Sequence, residues 1–526
     1  MPKVLISDEL SEAAVEIFKQ RGVEVDFQPK LGSDPAKLKE IIGNYDGLAI
    51  RSATKVKPDI IAAATKLKVI GRAGIGVDNV DIPAATAKGI VVMNTPFGNS
   101  ITTAEHAIAL MFAAARQIAE ANASTQAGKW EKNRFMGVEL YAKTLGLIGC
   151  GNIGSIVADR ALGLKMKVIA YDPFLSPERA VQIGVEKVEL DELLARADMI
   201  SLHVPMTEKT KNILSRESIA KTKPGVMIVN AARGGLVDEA ALREALDSGH
   251  VSAAAFDVFT VEPAKENPLF GAPNFIATPH LGASTNEAQE NVALQVAEQM
   301  SDYLMTGAVT NALNMPSISA EEAPRLRPFA TLAEKLGAFA GQIADEGLEE
   351  VAIEYEGDVA RLNMKPLTAA ALAGILRPLL QDVNVVSAPA LLKERGVPLT
   401  ESTRDSSPIY DSLVRIKVKT GGKWRRVAGT VVAGAPKVAE VKEMQLEAPF
   451  HPVMLFINNS DKPGFIGALG TLLGDAKINI ATFHLGREDE GKDAIALVGV
   501  DQIVPEPVME EIAALPQVRY AKVLRF

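Results

Sequence analysis

The sequence predicts an α/β fold: a doubly wound parallel sheet, a second parallel α/β unit, and smaller α/β units towards the C-terminal end. Three observations predict this fold class. Short apolar runs alternate with amphipathic stretches through residues 1–99 and again through 144–280, a pattern typical of parallel sheets. Residues 147–154 form a glycine-rich turn between an apolar run and a helical stretch. Residues 452–526 follow the order strand, helix, strand, strand, helix, strand of a ferredoxin-like unit.

The first unit carries candidate anion-binding residues at the ends of its strands. We expect strands at 4–7, 23–27, 47–50 and 69–71, with helices at 12–21, 35–42 and 59–64. Two arginines follow strands, and the neighbouring glycine loop offers backbone N–H groups to an anion. This pattern indicates an acidic substrate with a phosphate; the alternative is that the arginines form surface salt bridges. The candidate substrate-binding residues are Arg51, Ser52, Arg72, Gly74, Ile75 and Gly76.

Two helices are candidates for the crossings between the first two units. Thr102 and Glu105 predict a capping box for a small-residue helix at 103–117, although an ordinary buried helix would have the same composition. Ser284 and Glu287 predict a second box, for a helix that ends near residue 304. If that helix packs on the first unit, residues 1–99 and 282–316 form one discontinuous domain around residues 100–281.

The glycine-rich turn has the layout of a dinucleotide-binding loop. Gly149 permits the tight turn, Gly151 lets the backbone approach a pyrophosphate, and Gly154 lets helix and strand pack closely. Asp172 ends the next strand, where an acid binds the adenine ribose and repels a 2′-phosphate, so NAD is favoured over NADP. His203 ends a later strand and is expected to shape this loop. Six strands are expected in this unit, at 144–148, 167–171, 199–202, 227–230, 253–257 and 275–278.

Three residues after later strands suit hydride-transfer chemistry. Arg233 lies in Ala-Ala-Arg-Gly-Gly, where a guanidinium can bind an α-carboxylate through two hydrogen bonds. His280 lies in Thr-Pro-His-Leu-Gly and is a candidate base, because imidazole titrates near neutral pH. Glu262, between them in sequence, could fix the tautomer of that histidine. Each has a simpler alternative: a surface arginine, a structural histidine and a solvated loop acid.

Four motifs in this order, GLIGCGNIG, NAARGGLVDEAAL, DVFTVEP and TPHLGAST, resemble the D-isomer-specific 2-hydroxyacid dehydrogenases over about residues 1–316. The resemblance implies a Rossmann NAD-binding domain inserted in a flavodoxin-like substrate domain. It also implies that Arg233, Glu262 and His280 form the catalytic set. The cofactor-binding residues we expect are Gly149, Gly151, Asn152, Ile153, Gly154, Asp172, His203, Thr207, Ala231, Ala232, Asp257, Gly282 and Ala283.

The remaining chain resembles the long members of that family, which oxidise 3-phospho-D-glycerate with NAD in the first step of phosphorylated L-serine biosynthesis. Residues 317–450 are similar to their intervening domain, and residues 452–526 resemble an ACT domain. The resemblance implies an amino-acid effector such as L-serine, near Asp461 and Asn479 at a dimer interface. It also implies a homo-oligomer, commonly a tetramer, in which a neighbouring subunit supplies a cation such as Lys132 or Arg134. The alternatives are a hydroxypyruvate or glyoxylate reductase, or a non-catalytic regulator that senses NAD(H).

Composition narrows the partners and the compartment. The net charge of −9 and the pI of about 5.5 argue against broad binding to nucleic acid or to anionic membranes. No apolar run reaches the roughly 20 residues that span a bilayer, and the N-terminus lacks the features of a signal peptide. The single cysteine, Cys150, fits a reducing cytosol, so we expect a cytoplasmic protein. Cys150 is expected to fill space in the glycine-rich turn, with a redox role as the alternative, and no metal site is expected.

Overall fold

The computed structural model describes residues 1–319, 321–344, 347–380, 383–489 and 491–526. Within these ranges the chain forms four β-sheets with helices packed on them, which confirms the predicted α/β class. No helix in the described part of the chain combines the length and the apolar character needed to cross a membrane.

The first sheet is entirely parallel, in the order β2-β1-β3-β4-β5, which is the flavodoxin-like order. Its central strands are buried on both faces, which explains their continuous apolar sequences. The strand β5 was not predicted, because three apolar residues before Asn-Thr-Pro give too short a pattern. The elements are β1 (Lys3–Ile6), α1 (Glu12–Gln20), β2 (Glu24–Phe27), α2 (Pro35–Ile41), β3 (Gly47–Ile50), α3 (Pro58–Ala63), β4 (Val69–Arg72), α4 (Ile82–Lys88) and β5 (Val91–Met93).

Two helices, α5 (Ser100–Arg116) and α6 (Ile118–Gln126), lead from the first sheet to the second. The predicted capping box of Thr102 and Glu105 is wrong, because α5 begins after Asn99 and both residues lie inside it. The neighbouring hydroxyl of Thr103 donates to the carbonyls of Asn99 and Gly282. A pattern of hydroxyl and acid alone therefore does not locate the first helical residue.

The second sheet is also parallel, in the order β12-β11-β10-β9-β6-β7-β8, which contains the Rossmann arrangement on both sides of β6. The six predicted strands are present, and the unpredicted β8 is a two-residue edge strand. The elements are β6 (Thr144–Ile148), α7 (Asn152–Gly163), β7 (Lys167–Tyr171), α8 (Pro177–Ile183), β8 (Glu186–Lys187), α9 (Leu190–Arg196), β9 (Met199–Leu202), α10 (Arg216–Ala220), β10 (Val226–Asn230), α11 (Glu239–Asp247), β11 (Val251–Phe256) and β12 (Phe275–Ala277).

The helix α12 (Asn286–Thr306) packs back on the first sheet. Its Met300 lies so close to β4 that a Cβ on Gly71 would be 2.2 Å from the methionine sulfur. The predicted cap at Ser284 is wrong by one residue, since the hydroxyl of Thr285 accepts from the backbone N–H of Ala288. The chain therefore returns to the first sheet, whereas the predicted domain limits themselves (1–99 with 282–316, 100–281, 317–450 and 452–526) remain predictions.

The polar, proline-containing stretch 311–324 is typical of a linker, but Leu313 and Asn314 in it bond directly to the first sheet. The side chain of Asn314 accepts from the N–H of Val92 and donates to the carbonyl of Ile90, and it thereby satisfies the edge of β5. The third sheet follows, in the order β14-β13-β15-β16-β17-β18, with α13 and α14 packed together on it. Its elements are α13 (Ala323–Gln342), β13 (Leu348–Gly357), α14 (Met364–Leu376), α15 (Ala388–Glu394), β14 (Leu399–Arg404), β15 (Ser412–Thr420), β16 (Lys423–Val432), β17 (Ala435–Val441) and β18 (Met444–Pro449).

The last unit has the predicted βαββαβ order and an antiparallel sheet ordered β20-β21-β19-β22. It is joined to α13 by aromatic contacts of Phe339 with Phe456 and Phe526. The amide of Gln342 also bonds both the N–H and the carbonyl of Arg525 on the edge strand. The elements are β19 (Val453–Ser460), α16 (Phe465–Asp475), β20 (Ile480–Arg487), β21 (Asp493–Val500), α17 (Glu506–Ala513) and β22 (Val518–Arg525).

Candidate active site

The glycine-rich turn has the geometry that a dinucleotide needs. Gly149 adopts a φ of +97°, and a Cβ there would be 2.7 Å from the carbonyl oxygen of His203. A Cβ on Gly154 would be 2.2 Å from the carbonyl oxygen of Gly149. In contrast, no described protein atom lies within 4 Å of a Cβ built on Gly151, which directly precedes α7. The turn is therefore tight at its base and open at the helix N-terminus, where a pyrophosphate fits.

The two inner glycines should respond differently to alanine. In Gly154→Ala the methyl group meets backbone, so we expect the variant to be about 1–3 kcal/mol less stable. In Gly151→Ala the methyl group meets no protein atom, so we expect wild-type stability but NADH binding at least roughly tenfold weaker. Thermal unfolding and NADH fluorescence titration test the pair. Equal NADH affinity in Gly151→Ala would place the pyrophosphate elsewhere.

Asp172 lies directly after β7, as predicted, and its carboxylate holds the turn. Oδ2 accepts from the N–H of Cys150 at 2.9 Å, and Oδ1 accepts from the N–H of Phe174 at 2.8 Å. Burial, followed by the charge of Asp172, raises the pKa of the Cys150 thiol to about 11. The thiol is therefore protonated at neutral pH, which favours the space-filling interpretation over a redox role.

His203 lies beneath the turn rather than in the open. Its Nε2 is 2.9 Å from the hydroxyl of Ser201, and burial lowers the pKa of its imidazole to about 4. A neutral ring at this position supports the loop and is not a general base at neutral pH. Thr207 bonds Thr210 in the loop after β9, and Ala231 and Ala232 follow β10, so these three predicted cofactor residues lie beyond the carboxyl ends of neighbouring strands.

Glu262 and His280 form a direct pair. His280 Nδ1 is 2.7 Å from Glu262 Oε2, and Glu262 Oε1 accepts from the N–H of Phe259 at 3.0 Å. Burial would raise the pKa of Glu262, but the hydrogen bonds from His280 and Phe259 outweigh it and lower the pKa below its usual value. The glutamate thus stays ionised, and it leaves Nε2 of the half-exposed imidazole for chemistry.

Asp257 fixes the segment that carries His280. Its fully buried carboxylate accepts from the hydroxyl of Thr278 and from the N–H groups of Leu281 and Gly282, at 2.6 to 2.8 Å. His106 Nε2 lies 3.2 Å from the same carboxylate. Burial would raise the pKa of Asp257, but these bonds, first that of His106, lower it. Asp257 therefore fixes the backbone of Gly282, a predicted cofactor-binding residue that Ala283 directly follows.

Asp257→Asn should cost stability in a pH-dependent way. Because the folded-state pKa of Asp257 is lowered, the unfolded chain binds the proton first as the pH falls below about 4. The contribution of the carboxylate is complete above that pH and is lost as the pH falls through the folded-state pKa. We expect the variant to be about 1–3 kcal/mol less stable at pH 7, with a smaller difference near pH 3. Urea unfolding at both pH values tests this; a pH-independent difference would contradict it.

Arg233 is positioned by Asn230, the first residue of the NAARGGLVDEAAL motif, and by Asp78, which lies outside the quoted motifs. The amide of buried Asn230 donates to the carbonyl of Arg233, which fixes the turn after β10. A Cβ on Gly234 would be 1.9 Å from the carbonyl oxygen of Phe259, so this position needs a glycine for the backbone to pack against the loop that carries Glu262. Arg233 Nε donates to Asp78 of the first unit at 3.0 Å. These contacts bring Arg233 beside the loop that carries Glu262.

The predicted phosphate-binding loop after β4 lies against Arg233, since a Cβ on Gly76 would be 1.6 Å from Arg233 Nη2. Arg72 is largely buried, and burial and then the charge of Arg233 lower the pKa of its guanidinium to about 10, with Arg51 contributing in the same direction. Arg72 therefore lies within electrostatic range of Arg233 and of Arg51. The N–H of Gly74 donates to the hydroxyl of Thr95 at 2.6 Å, so it is not offered to an anion. Of the three predicted loop residues, Ile75 and Gly76 are left as the candidates that donate a backbone N–H to the substrate.

Lys132 and Arg134 lie on an exposed 3-10 turn after α6, which belongs neither to the substrate loops of the first sheet nor to the loops that carry Arg233, Glu262 and His280. Arg134 pairs with Glu131 at 3.1 Å and stacks over Phe135. The described residues contain no group of three or more His, Cys, Asp or Glu side chains that could hold a metal ion.

The predicted effector residues are separated within one chain. Asp461 follows the end of β19, where Ser460 pairs with Asp493. Asn479 precedes β20, where Ile480 pairs with Val500. The two residues therefore lie at opposite ends of the eight-residue strand β21, roughly 20 Å apart. Asp461 and Asn479 of the same chain are therefore too far apart to contact one amino-acid ligand.

Comparisons with known proteins agree with this geometry. Residues 108–282 match the D-isomer specific 2-hydroxyacid dehydrogenase NAD binding domain, 325–442 match the D-3-phosphoglycerate dehydrogenase intervening domain, and 453–517 match the ACT domain. The D-3-phosphoglycerate dehydrogenase of Synechocystis is 43% identical over 524 residues, covering 99% of this chain and 94% of the relative. That of Methanocaldococcus jannaschii is 43% identical over 526 residues and covers 100% of both chains.

The chain belongs to the D-3-phosphoglycerate dehydrogenase family. It is accordingly an NAD-dependent dehydrogenase with an intervening domain and a C-terminal ACT domain. Its dehydrogenase part is also similar to a glyoxylate reductase from Paecilomyes thermophila, with a TM-score of 0.55 and 33% identity over 59% of this chain and 98% of that one. An NAD-dependent formate dehydrogenase from Staphylococcus aureus in complex with NAD has a TM-score of 0.54 and 26% identity, over 60% of this chain and 100% of that one.

Proposed function

We propose that this chain oxidises 3-phospho-D-glycerate to 3-phosphohydroxypyruvate with NAD+, the first step of phosphorylated L-serine biosynthesis. The observation that carries the proposal is that a set of two cationic side chains, Arg72 and Arg233, meets at the loop of residues 74–76: a Cβ on Gly74 would be 2.3 Å from Arg72 Nη1, and one on Gly76 would be 1.6 Å from Arg233 Nη2. A substrate with one carboxylate and one phosphate carries charge at both ends and would be bound by such a set. The full-length relatives that carry the name D-3-phosphoglycerate dehydrogenase support the same substrate.

Each of the candidate residues has a separate role in the proposed reaction. Bound NAD+ supplies the hydride acceptor. Arg233 binds the carboxylate and polarises the reacting oxygen, while the phosphate lies against Arg51 and Arg72. His280 removes the hydroxyl proton through Nε2, because Nδ1 is bonded to Glu262. The ionised Glu262 stabilises the imidazolium that forms. Arg233 must share its guanidinium between Asp78 and the substrate, or leave Asp78 when the substrate binds.

The assembly and its regulation are part of the proposal. A cytoplasmic homotetramer would let Lys132 or Arg134 of one subunit reach the phosphate in another. L-serine would bind between two ACT domains, with Asp461 from one chain and Asn479 from the other. The separation of these residues within a chain supports a site shared by two copies.

The direct test is NADH formation from 3-phosphoglycerate at alkaline pH with a trap for the keto product, with and without L-serine. We expect activity, and we expect serine to suppress it. If L-serine left the activity unchanged, 3-phosphoglycerate would still be the substrate, but L-serine would not be the effector. Oxidation of NADH with glyoxylate or hydroxypyruvate, without activity on the phosphorylated substrate, would identify a reductase instead.

A further inference from the structure

A buried carboxylate supports the loop that carries Arg51. Asp8, two residues after the end of β1, is only 2% exposed, yet the catalytic groups do not contact it. Its Oδ2 accepts from the N–H of Arg51 at 2.6 Å and from the N–H of Thr54 at 3.1 Å. Its Oδ1 accepts from the hydroxyl of Thr54 at 2.6 Å. A Cβ on Gly32 would be 2.1 Å from Asp8 Oδ1, so the surrounding backbone is closely fitted to this carboxylate.

The same loop is held from its other side by Asn79. The amide nitrogen of Asn79 donates to the carbonyls of Arg51 at 2.6 Å and Thr54 at 2.7 Å. Residues 51–54 are thus bonded through backbone N–H groups to Asp8 and through backbone carbonyls to Asn79. Asn79 follows Asp78, which pairs with Arg233 across the cleft, so the loop is connected through adjacent residues to the carboxylate-binding arginine.

Asp8 and Asn79 hold the backbone of residues 51–54, and neither of them contacts the groups that react. We infer that Asp8 and Asn79 are positioning residues that set the preference for a phosphorylated substrate, by holding the Arg51–Ser52 segment at the phosphate. The inference rests on the proposed function. A preorganised cationic loop binds a phosphate without the cost of ordering the loop on binding, whereas a released loop must be ordered each time. Hydride transfer itself, at Arg233, Glu262 and His280, should be affected much less.

The chain offers a matched control in the same unit. Asp46 also accepts a backbone N–H, that of Lys3 at 3.0 Å, and also joins neighbouring strands of the first sheet. It lies at the amino end of β3, opposite the end that carries Arg51. Asp46→Asn therefore perturbs the same sheet through the same type of bond without releasing the substrate loop.

The experiment compares Asp8→Asn, Asn79→Ala and Asp46→Asn in the full-length protein, with 3-phosphohydroxypyruvate and hydroxypyruvate reduced by NADH. We expect KM for the phosphorylated substrate to rise about tenfold or more in the first two variants, with kcat within about threefold. Their kcat/KM for hydroxypyruvate, and both parameters of Asp46→Asn, should stay within about threefold of wild type. Asn79 is less buried than Asp8, so Asn79→Ala keeps the test valid if Asp8→Asn folds poorly.

Two results would overturn the inference alone: an unchanged KM for the phosphorylated substrate, or equal losses on both substrates, as a merely structural role requires. A wild-type enzyme that shows no preference for the phosphorylated substrate would refute the proposed function, and the inference with it. Thermal unfolding of all three variants separates global destabilisation from loss of loop positioning.

Discussion

His280→Ala should lower turnover by roughly 10²–10⁴-fold, the range typical of a lost general base. The variant keeps the glycine-rich turn and the Asp172 carboxylate, so its affinity for NADH should stay within about threefold of wild type. The backbone of His280 is already anchored by the carbonyls of Asp257 and Thr278, and the side chain is half exposed, so the fold should tolerate the truncation. Steady-state oxidation of 3-phosphoglycerate and NADH fluorescence titration measure the two quantities.

His250→Ala is the matched control for this variant. His250 also makes two side-chain contacts, with Thr222 and the carbonyl of Ile219, but it lies in the turn before β11 and away from Glu262. Its removal should leave kcat within about twofold of wild type. If turnover in His280→Ala fell no further than in His250→Ala, His280 would have no role as the base.

The sequence supplied the candidate catalytic residues, but it did not identify the residues that hold them in place. His280, Glu262 and Arg233 follow strands of a repeated βα pattern, and parallel topology brings the carboxyl ends of such strands to one edge. Asp78 lies outside the quoted motifs, and the place of Asn230 at the start of NAARGGLVDEAAL does not reveal its bond to the carbonyl of Arg233. Asp8 is equally inconspicuous in sequence, because its role depends on a contact with a loop more than forty residues away.

The predicted ends of helices were wrong where two neighbouring residues could each cap the helix. Ser284 and Thr285 are both good helix caps, and the packing of α12 on the first sheet selects the second of them. The strands β14, β17 and β18 were not predicted, because β14 is exposed throughout, β17 lacks a regular alternation of polar and apolar residues, and β18 is only six residues long. The ACT domain was predicted well, since its strands are longer and its two helices interrupt them in a recognisable order.

Arg233→Lys should reduce kcat/KM for 3-phosphoglycerate by roughly 10²–10³-fold, although the charge is retained. Lysine cannot reproduce the planar fork that holds a carboxylate with two hydrogen bonds while Nε donates to Asp78. Loss of one partner of a charged hydrogen-bonded pair costs about 3–4 kcal/mol, which corresponds to several hundred-fold. Because Arg233 acts on the substrate in both the bound and the reacting states, KM and kcat should both worsen.

The control for this variant is Arg243→Lys. Arg243 bonds Asp247 through Nε and backbone carbonyls through Nη1, on α11 at the surface of the same sheet. That substitution alters the same hydrogen-bond geometry outside the cleft and should leave kcat/KM nearly unchanged. A fall of less than tenfold in Arg233→Lys would show that a point charge suffices at this position. The carboxylate would then be bound at residue 233 by charge alone, and the two hydrogen bonds of the guanidinium would not be needed for recognition.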